Sequence, residues 1–257
     1  MNRRFCLLVF GIIVGLCLIA PWIAPYDPLA EVGEGLTPPS KAHILGLDWI
    51  GRDVFSRVIH GGARTLRIAA FATLIAMCAG IFIGAAAGSG SKVLDRVISL
   101  LIDSLLAIPG FVLALVILVL IGTGERSIML AAAAAQIAPT ARIARSAVLS
   151  IRTRDYVSAA EQLGASRLWI VWNYLLPNSA PILMAYAAVV FTYTLLNGAA
   201  LAFLGLGGDP SVPDWGMMLY EGRTAFRSAP WIAFFPGVAI TGVVLLAGWG
   251  SRINSRK

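Results

Sequence analysis

The sequence predicts an all-α, polytopic integral membrane protein with six transmembrane helices. Three observations carry that prediction. Of the 257 residues, 58% are hydrophobic and only 13% charged, against about 25% charged in soluble domains. Mean hydropathy is +0.82. Apolar runs of the length that crosses a bilayer, about 20 residues, recur between short polar or turn-rich segments.

Phe5 to Ala24 carries no charge and follows Arg3 and Arg4, which predicts a first span entering from the inside. A secretory signal would have an apolar core of about 7–15 residues and an A-x-A-like cleavage site. Residues 26–65 are polar. Within them Val54, Phe55, Val58 and Ile59 share an apolar face, and Asp53 and Arg57 stand at i,i+4, the spacing of a favourable ion pair. They predict a short interfacial helix on the outside. The second span is Leu66 to Gly88, closed by the turn-rich GSGSK.

The third span, Ile98 to Ile121, contains Asp103 and Pro109 and is closed by GTGER. The fourth, Ile128 to Ala147, holds Gln136, Pro139 and Arg142 and turns amphipathic at its inner end. The fifth is Ser179 to Leu204, followed by the Gly/Pro-rich loop GLGGDPSVPDWG at 205–216. The sixth is Trp231 to Trp249, before GSRINSRK.

With both termini inside, twelve of the 20 Lys and Arg fall on the inner side, and the outer acids cancel the outer bases. Inner excess of positive charge is the expected orientation. The net charge of +7 therefore reads as membrane topology. No basic stripe interleaved with aromatics suggests nucleic acid. Cys6, Cys17 and Cys78 lie in apolar runs, as small buried hydrophobes do. His43 and His60 have no ligand-like neighbours, and no phosphate-cradling glycine motif is present. The chain is expected to be no enzyme, with no metal site and no cofactor of its own. No internal repeat marks an inverted-repeat transporter.

One polar segment interrupts the apolar pattern: DYVSAAEQLGASRLWIVWNYLLPN, residues 155–178. Tyr156, Ala159, Ala160 and Leu163 fall on one helical face. Gly164 supplies a corner, and Ser166 caps a second helix whose face is Leu168, Val171, Trp172 and Leu175. Pro177 marks the boundary to the next span. Two readings fit these residues: an amphipathic linker on lipid headgroups, or a low-relief knob gripped by a partner.

The pattern D-Y-V-x-A-A-x-x-L-G-A-S, with L-P-N at its fixed distance, resembles the EAA loop of ABC importer permeases. It is carried here by Asp155, Tyr156, Val157, Ala159, Ala160, Leu163, Gly164, Ala165, Ser166, Leu176, Pro177 and Asn178. Ser158 stands where that family usually has Glu, and Tyr174 where it often has His. Four further segments resemble the dipeptide, oligopeptide and nickel subfamily: LGLDWIGRDVFSRVIHGGARTL (45–66), DSLLAIPGFVLAL (103–115), ARIARSAVLSIRTRDYV (141–157) and AFLGLGGDPSVPDWGMML (202–219). In the last of these regions Ala202 replaces the usual Ser, and four residues upstream Gly198 stands where an acid is common.

The resemblance implies a C-type permease subunit with the type I importer fold. Residues 1–65 would form an N-terminal helix and a periplasmic segment. Residues 66–257 would form the core transmembrane domain, with a coupling loop at 152–178 between the fourth and fifth spans. It implies a second homologous permease, two cytoplasmic ATPases carrying ATP and Mg, and a periplasmic or lipid-anchored binding protein. The setting would be the bacterial inner membrane, with both termini cytoplasmic and lipid around the spans. The cargo would be a small peptide, nickel or a metal chelate. Contact with the ATPases falls on Asp155, Tyr156, Ser158, Ala159, Ala160, Glu161, Gly164, Ala165 and Ser166, with Glu161 offsetting the missing Glu at 158.

Asp103, Pro109 and Asn197 are the pore or gating candidates. An acid within a span defaults to a functional reading. Near the cytoplasmic edge, an ion pair of Asp103 with Arg142 or Arg145 is the structural alternative. A different class, an ion-coupled secondary transporter or channel without an ATPase, would want ionisable groups in mid-membrane. The spans offer few polar groups: Asp103, Gln136, Thr192, Thr194 and Asn197. A membrane-embedded enzyme would want clustered His, Cys or acids in the spans, and there are none.

Overall fold

A computed structural model of the protein describes residues 3–209 and 211–252. Among these residues every regular element is helical. The chain runs α1 (Arg3–Leu18), α2 (Ala20–Ile23), α3 (Val54–Ser89), α4 (Lys92–Leu106), α5 (Gly110–Ile121), α6 (Glu125–Arg152), α7 (Asp155–Gln162), α8 (Arg167–Ile170), α9 (Leu176–Leu201), α10 (Trp215–Gly222) and α11 (Trp231–Arg252). Four stretches are long and apolar enough to cross a bilayer: α3, α6, the run Arg167–Leu206 and α11. The pair α4–α5 adds a fifth, bent by 89°. α1, apolar over Leu8–Leu18, is shorter than these.

The interfacial helix expected at 54–59 is not a separate element. Val54 is the first residue of α3, which continues unbroken for 36 residues, about 54 Å at 1.5 Å per residue. Asp53 makes a cap and leaves Arg57 to other partners. Its carboxylate accepts from Ser56 N and Ser56 Oγ, each at 2.8 Å, which satisfies helix-start groups that lack an intrahelical partner.

The centre of the fold is α3 packed on α6. Gly80, Gly84 and Gly88 repeat every four residues and face Thr140, Ala144 and Val148. A Cβ on Gly84 would stand 2.4 Å from the Ala141 carbonyl oxygen, and one on Gly80 2.5 Å from Thr140 Cβ. Close backbone approach through small residues is how helices associate where lipid supplies no hydrophobic drive. Ala72, Ala76, Ala132 and Ala133 continue the seam and are all buried. α6 is therefore apolar through alanines, and its charges gather at its ends.

The third span breaks at Pro109. Proline has no N–H and disfavours helix in the residue before it, so α4 ends at Leu106 and α5 restarts at Gly110. The entry to α9 is also irregular. Residues Val171–Leu175 form a wider, π-helical turn that takes up Pro177, whose ring would otherwise press on the carbonyl four residues back. Asn178 Nδ2 and Ser179 Oγ donate to the carbonyls of Tyr174 and Leu175, both at 2.7 Å.

Candidate functional site

Three constellations stand out, at one end of the bundle, along its side and at the other end. At the first end lies the 155–178 module. Its corner is a Schellman turn: Gly164 takes φ +87°, Ala165 N donates to Ala160 O, and Gly164 N donates to Glu161 O, each at 3.0 Å. Ser166 caps α8 by accepting from Trp169 N. The corner and the cap stand where the sequence places them.

The faces differ from the expected ones. Val157 and Ala160 are buried, and Val157 packs with Ala85 of α3, Val148 and Ile151 of α6, and Ile170 and Leu175. Tyr156, Ala159 and Leu163 stay exposed, Leu163 at 88%. Ala160 therefore lies on the buried side of the helix with Val157, and Ala159 on the open one. On the second helix Ile170 and Leu175 are buried, while Leu168, Trp169 and Trp172 are exposed. Two short helices at an angle bury the residues nearest their crossing, so a face read from one helix alone is displaced. Asp155, Ser158 and Glu161 are all exposed. Tyr174 sits between Tyr156 and Trp169, ring centroids 5.6 and 5.4 Å away, and ties α7 to α8.

Charged pairs brace the base of this module. Arg145 Nη2 donates to Asp95 Oδ2 at 2.7 Å, and Arg142 pairs with Asp103. Arg152 Nη1 reaches the carbonyls of Gly88 and Gly90 at 3.0 and 3.2 Å. Asp103 thus takes the ion-pair alternative, with Arg142.

Along the side, α4–α5, α6 and α9 enclose a concavity of about 600 Å³. Pro109 and Asn197 line it; Asp103 does not. Gln136, Tyr186 and Tyr193 line it as well. The two tyrosines were not singled out from the sequence. Their signal is periodic: Tyr186, Tyr193 and Asn197 fall at i, i+7 and i+11 of one helix, a polar stripe at helical spacing.

At the opposite end, four charges are buried together. Asp48 Oδ2 accepts from Arg52 Nε at 2.6 Å and lies 3.3 Å from Arg57 Nη1. Glu221 Oε2 accepts from Arg57 Nη2 at 2.8 Å and Arg52 Nη2 at 3.2 Å. Asp214, buried, caps α10 through Gly216 N and Met217 N and accepts from Thr65 Oγ1 at 2.8 Å. Burial pushes its carboxyl above the usual range, against the pull of those hydrogen bonds.

The family model for binding-protein-dependent transport system inner membrane components matches residues 80–257. That stretch holds both the 155–178 module and the concavity. The chain belongs to that family. It is 37% identical to the di/tripeptide transport system permease protein DppC of Pseudomonas aeruginosa, over 95% of this chain and 84% of that one. It is 33% identical to the glutathione transport system permease protein GsiD of Pectobacterium atrosepticum, over 94% and 82%. Among solved structures, the inward-facing MetNI methionine ABC transporter superposes with a TM-score of 0.64 at 20% identity, covering 78% of this chain and 95% of that one.

This permease is therefore an ABC importer subunit of the type I fold, a multi-pass inner-membrane component whose family moves solutes and does not catalyse a reaction. The match to MetNI speaks for the fold. Among the described residues no cluster of His, Cys, Asp or Glu is arranged to hold a metal ion.

Proposed function

We propose that this permease forms half of the translocation pathway of an ATP-driven importer for small peptides. A second homologous permease supplies the other half, and a binding protein delivers the cargo. Two cytoplasmic ATPases carry ATP and Mg. The chain crosses six times, with α1–α2 as the first span and both termini on the ATPase side. Residues 1–65 form the first crossing and an outer cap, and 66–257 the core domain. The peptide assignment draws on the names of the relatives, two of which are a di/tripeptide and a glutathione permease.

One observation carries the reading: α7 is two-sided. Its inner side holds Val157 and Ala160, both buried, and Val157 packs on the ends of α3 and α6. Its outer side, Tyr156, Ala159 and Leu163, joins Leu168, Trp169 and Trp172 in an exposed apolar surface of the kind that marks a protein contact. A partner gripping the outer side moves the inner side, and with it the two central helices. ATP then biases inward- and outward-open states by its differential affinity for them. With Ser158 in place of an acid, the grip rests on shape, and Asp155 and Glu161 supply the charge at its rim.

Ala159→Glu tests the reading, because it alters the open face without touching the packed one. The assembled complex is expected to lose most substrate-stimulated ATP hydrolysis and uptake, with the thermal midpoint of the permease unchanged. Full uptake by Ala159→Glu would remove the docking role.

A further inference from the structure

Several polar groups inside the spans satisfy themselves within the protein. The hydroxyls of Thr73, Thr140, Ser179 and Thr192 each donate to a carbonyl of their own helix, at 2.7 to 3.0 Å. That is the inexpensive solution in a medium without water. The side-chain amides of Gln136 and Asn197 and the hydroxyls of Tyr186 and Tyr193 have no hydrogen-bond partner among the described residues, and all four line the one concavity between α4–α5, α6 and α9. Gln136 is 6% exposed. Its amide opens on the concavity, where its hydrogen-bonding groups are free for water or a solute.

The broken span adds an independent observation. Non-helical backbone at membrane depth is tolerated only where it is buried in protein or lines a water-filled cavity. The break at 107–109 lines this one through Ile108, Pro109 and Gly110. In secondary transporters, broken helices of this kind line the cargo site. The volume is that of a small-molecule site, about 300–1,000 Å³. Its lining contains no Asp, Glu, Lys, Arg, His or Cys.

We infer that this concavity is a passage site for amide-bearing solutes, in which Gln136, Asn197, Tyr186 and Tyr193 hydrogen-bond the peptide groups of the cargo. Each amide side chain offers donor and acceptor together, as a peptide group does, and each phenol offers either. A bare divalent cation finds no imidazole, thiolate or carboxylate there. The site therefore separates peptides from nickel within the range of cargo that the subfamily resemblance implies. The inference rests on the importer reading above and adds the chemistry of its pathway.

The test uses the whole importer, this permease with its cognate permease, ATPases and binding protein, reconstituted in liposomes. The probes are radiolabelled alanylalanine and Ni2+. Gln136→Leu with Asn197→Leu is expected to lower alanylalanine uptake about tenfold, the loss of one to two hydrogen bonds, while ATP hydrolysis stimulated by the loaded binding protein persists. Tyr193→Phe removes one exposed hydroxyl without a packing change and is expected to raise KM for uptake about threefold. Gln136→Asn, which keeps the amide, is expected to retain most uptake. Wild-type kinetics in both the double variant and Tyr193→Phe overturn the site. Uptake of Ni2+ in place of alanylalanine overturns it while leaving ATP-driven import standing; uptake that ignores ATP overturns both.

Discussion

The Arg57 guanidinium donates to the Glu221 carboxylate at 2.8 Å across 164 residues of chain. With Arg52 and Asp48 the two residues form a neutral, buried set of two cations and two anions. The set pins the loop before α3 to α10. Removing one member of a buried pair leaves an uncompensated charge and costs about 3–5 kcal/mol. Glu221→Ala is therefore expected to lower the thermal midpoint of the detergent-purified protein sharply. Arg57→Met together with Glu221→Met is expected to cost less than either change alone. Additive losses in that cycle would show that the charges do not act together.

The α3–α6 seam makes a steric prediction. Gly84→Val places a side chain 2.4 Å from a backbone oxygen, which cannot move as a flexible side chain can. Overpacking costs about 1–3 kcal/mol or more, so yield and melting midpoint are both expected to fall. Gly242→Ala, on α11 with nothing within 4 Å of the new carbon, serves as the control. It is expected to leave the midpoint unchanged or raise it.

Asp214 predicts a pH dependence with a definite sign. Burial raises its carboxyl in the folded state, so the folded protein holds that proton more tightly than the unfolded chain. The cost of keeping the carboxylate charged is present at neutral pH. It falls away as pH drops through the folded value toward the ordinary carboxylate range. Asn keeps an acceptor for the α10 cap and does not titrate. The melting midpoint of the wild type, measured against Asp214→Asn, is expected to rise on acidification; a constant difference would refute the buried carboxylate.

Tyr174 predicts a coupling defect without a folding defect. Its ring contacts both Tyr156 and Trp169, pairs worth about 0.5–1.5 kcal/mol each. Tyr174→Ala is expected to loosen α7 from α8 and lower the peptide moved per ATP hydrolysed, while Tyr174→Phe restores the ratio. An unchanged ratio in Tyr174→Ala would show that the aromatic pairs do not transmit motion.

Much of the local structure was legible because its causes are local. Gly164 and Ser166 act within one or two turns of chain, and each does what its position in the sequence predicts. Pro109 breaks its span because of its own ring. The apolar lengths located the ends of the crossing helices better than their polar starts: the helices expected from Leu66 and Ser179 begin at Val54 and Arg167, because a helix continues past the edge of its apolar run wherever caps and packing support it. The seam of Gly80, Gly84 and Gly88 was not read from the sequence, because small residues spaced by four mark a helix contact only once the partner helix is known. Other features were not legible for a physical reason. Asp53 and Arg57 have the spacing of an ion pair. Yet Asp53 satisfies a helix start three residues away, and Arg57 finds a carboxylate on a helix far along the chain.

By itself the sequence determined the solvent of this protein, the number and placement of its apolar runs, and the corner and cap of the 155–178 module. These follow from transfer free energy and backbone sterics, which each residue carries with it. Tertiary structure alone decided that Ala160 faces inward and Ala159 outward. It decided that Asp103 pairs with Arg142 while Arg145 takes Asp95, and that Gln136 and Asn197 meet two tyrosines around one cavity. Those outcomes depend on which helices come within hydrogen-bond distance of each other. Helices are brought that close by packing summed over the whole bundle, and no single segment contains that sum.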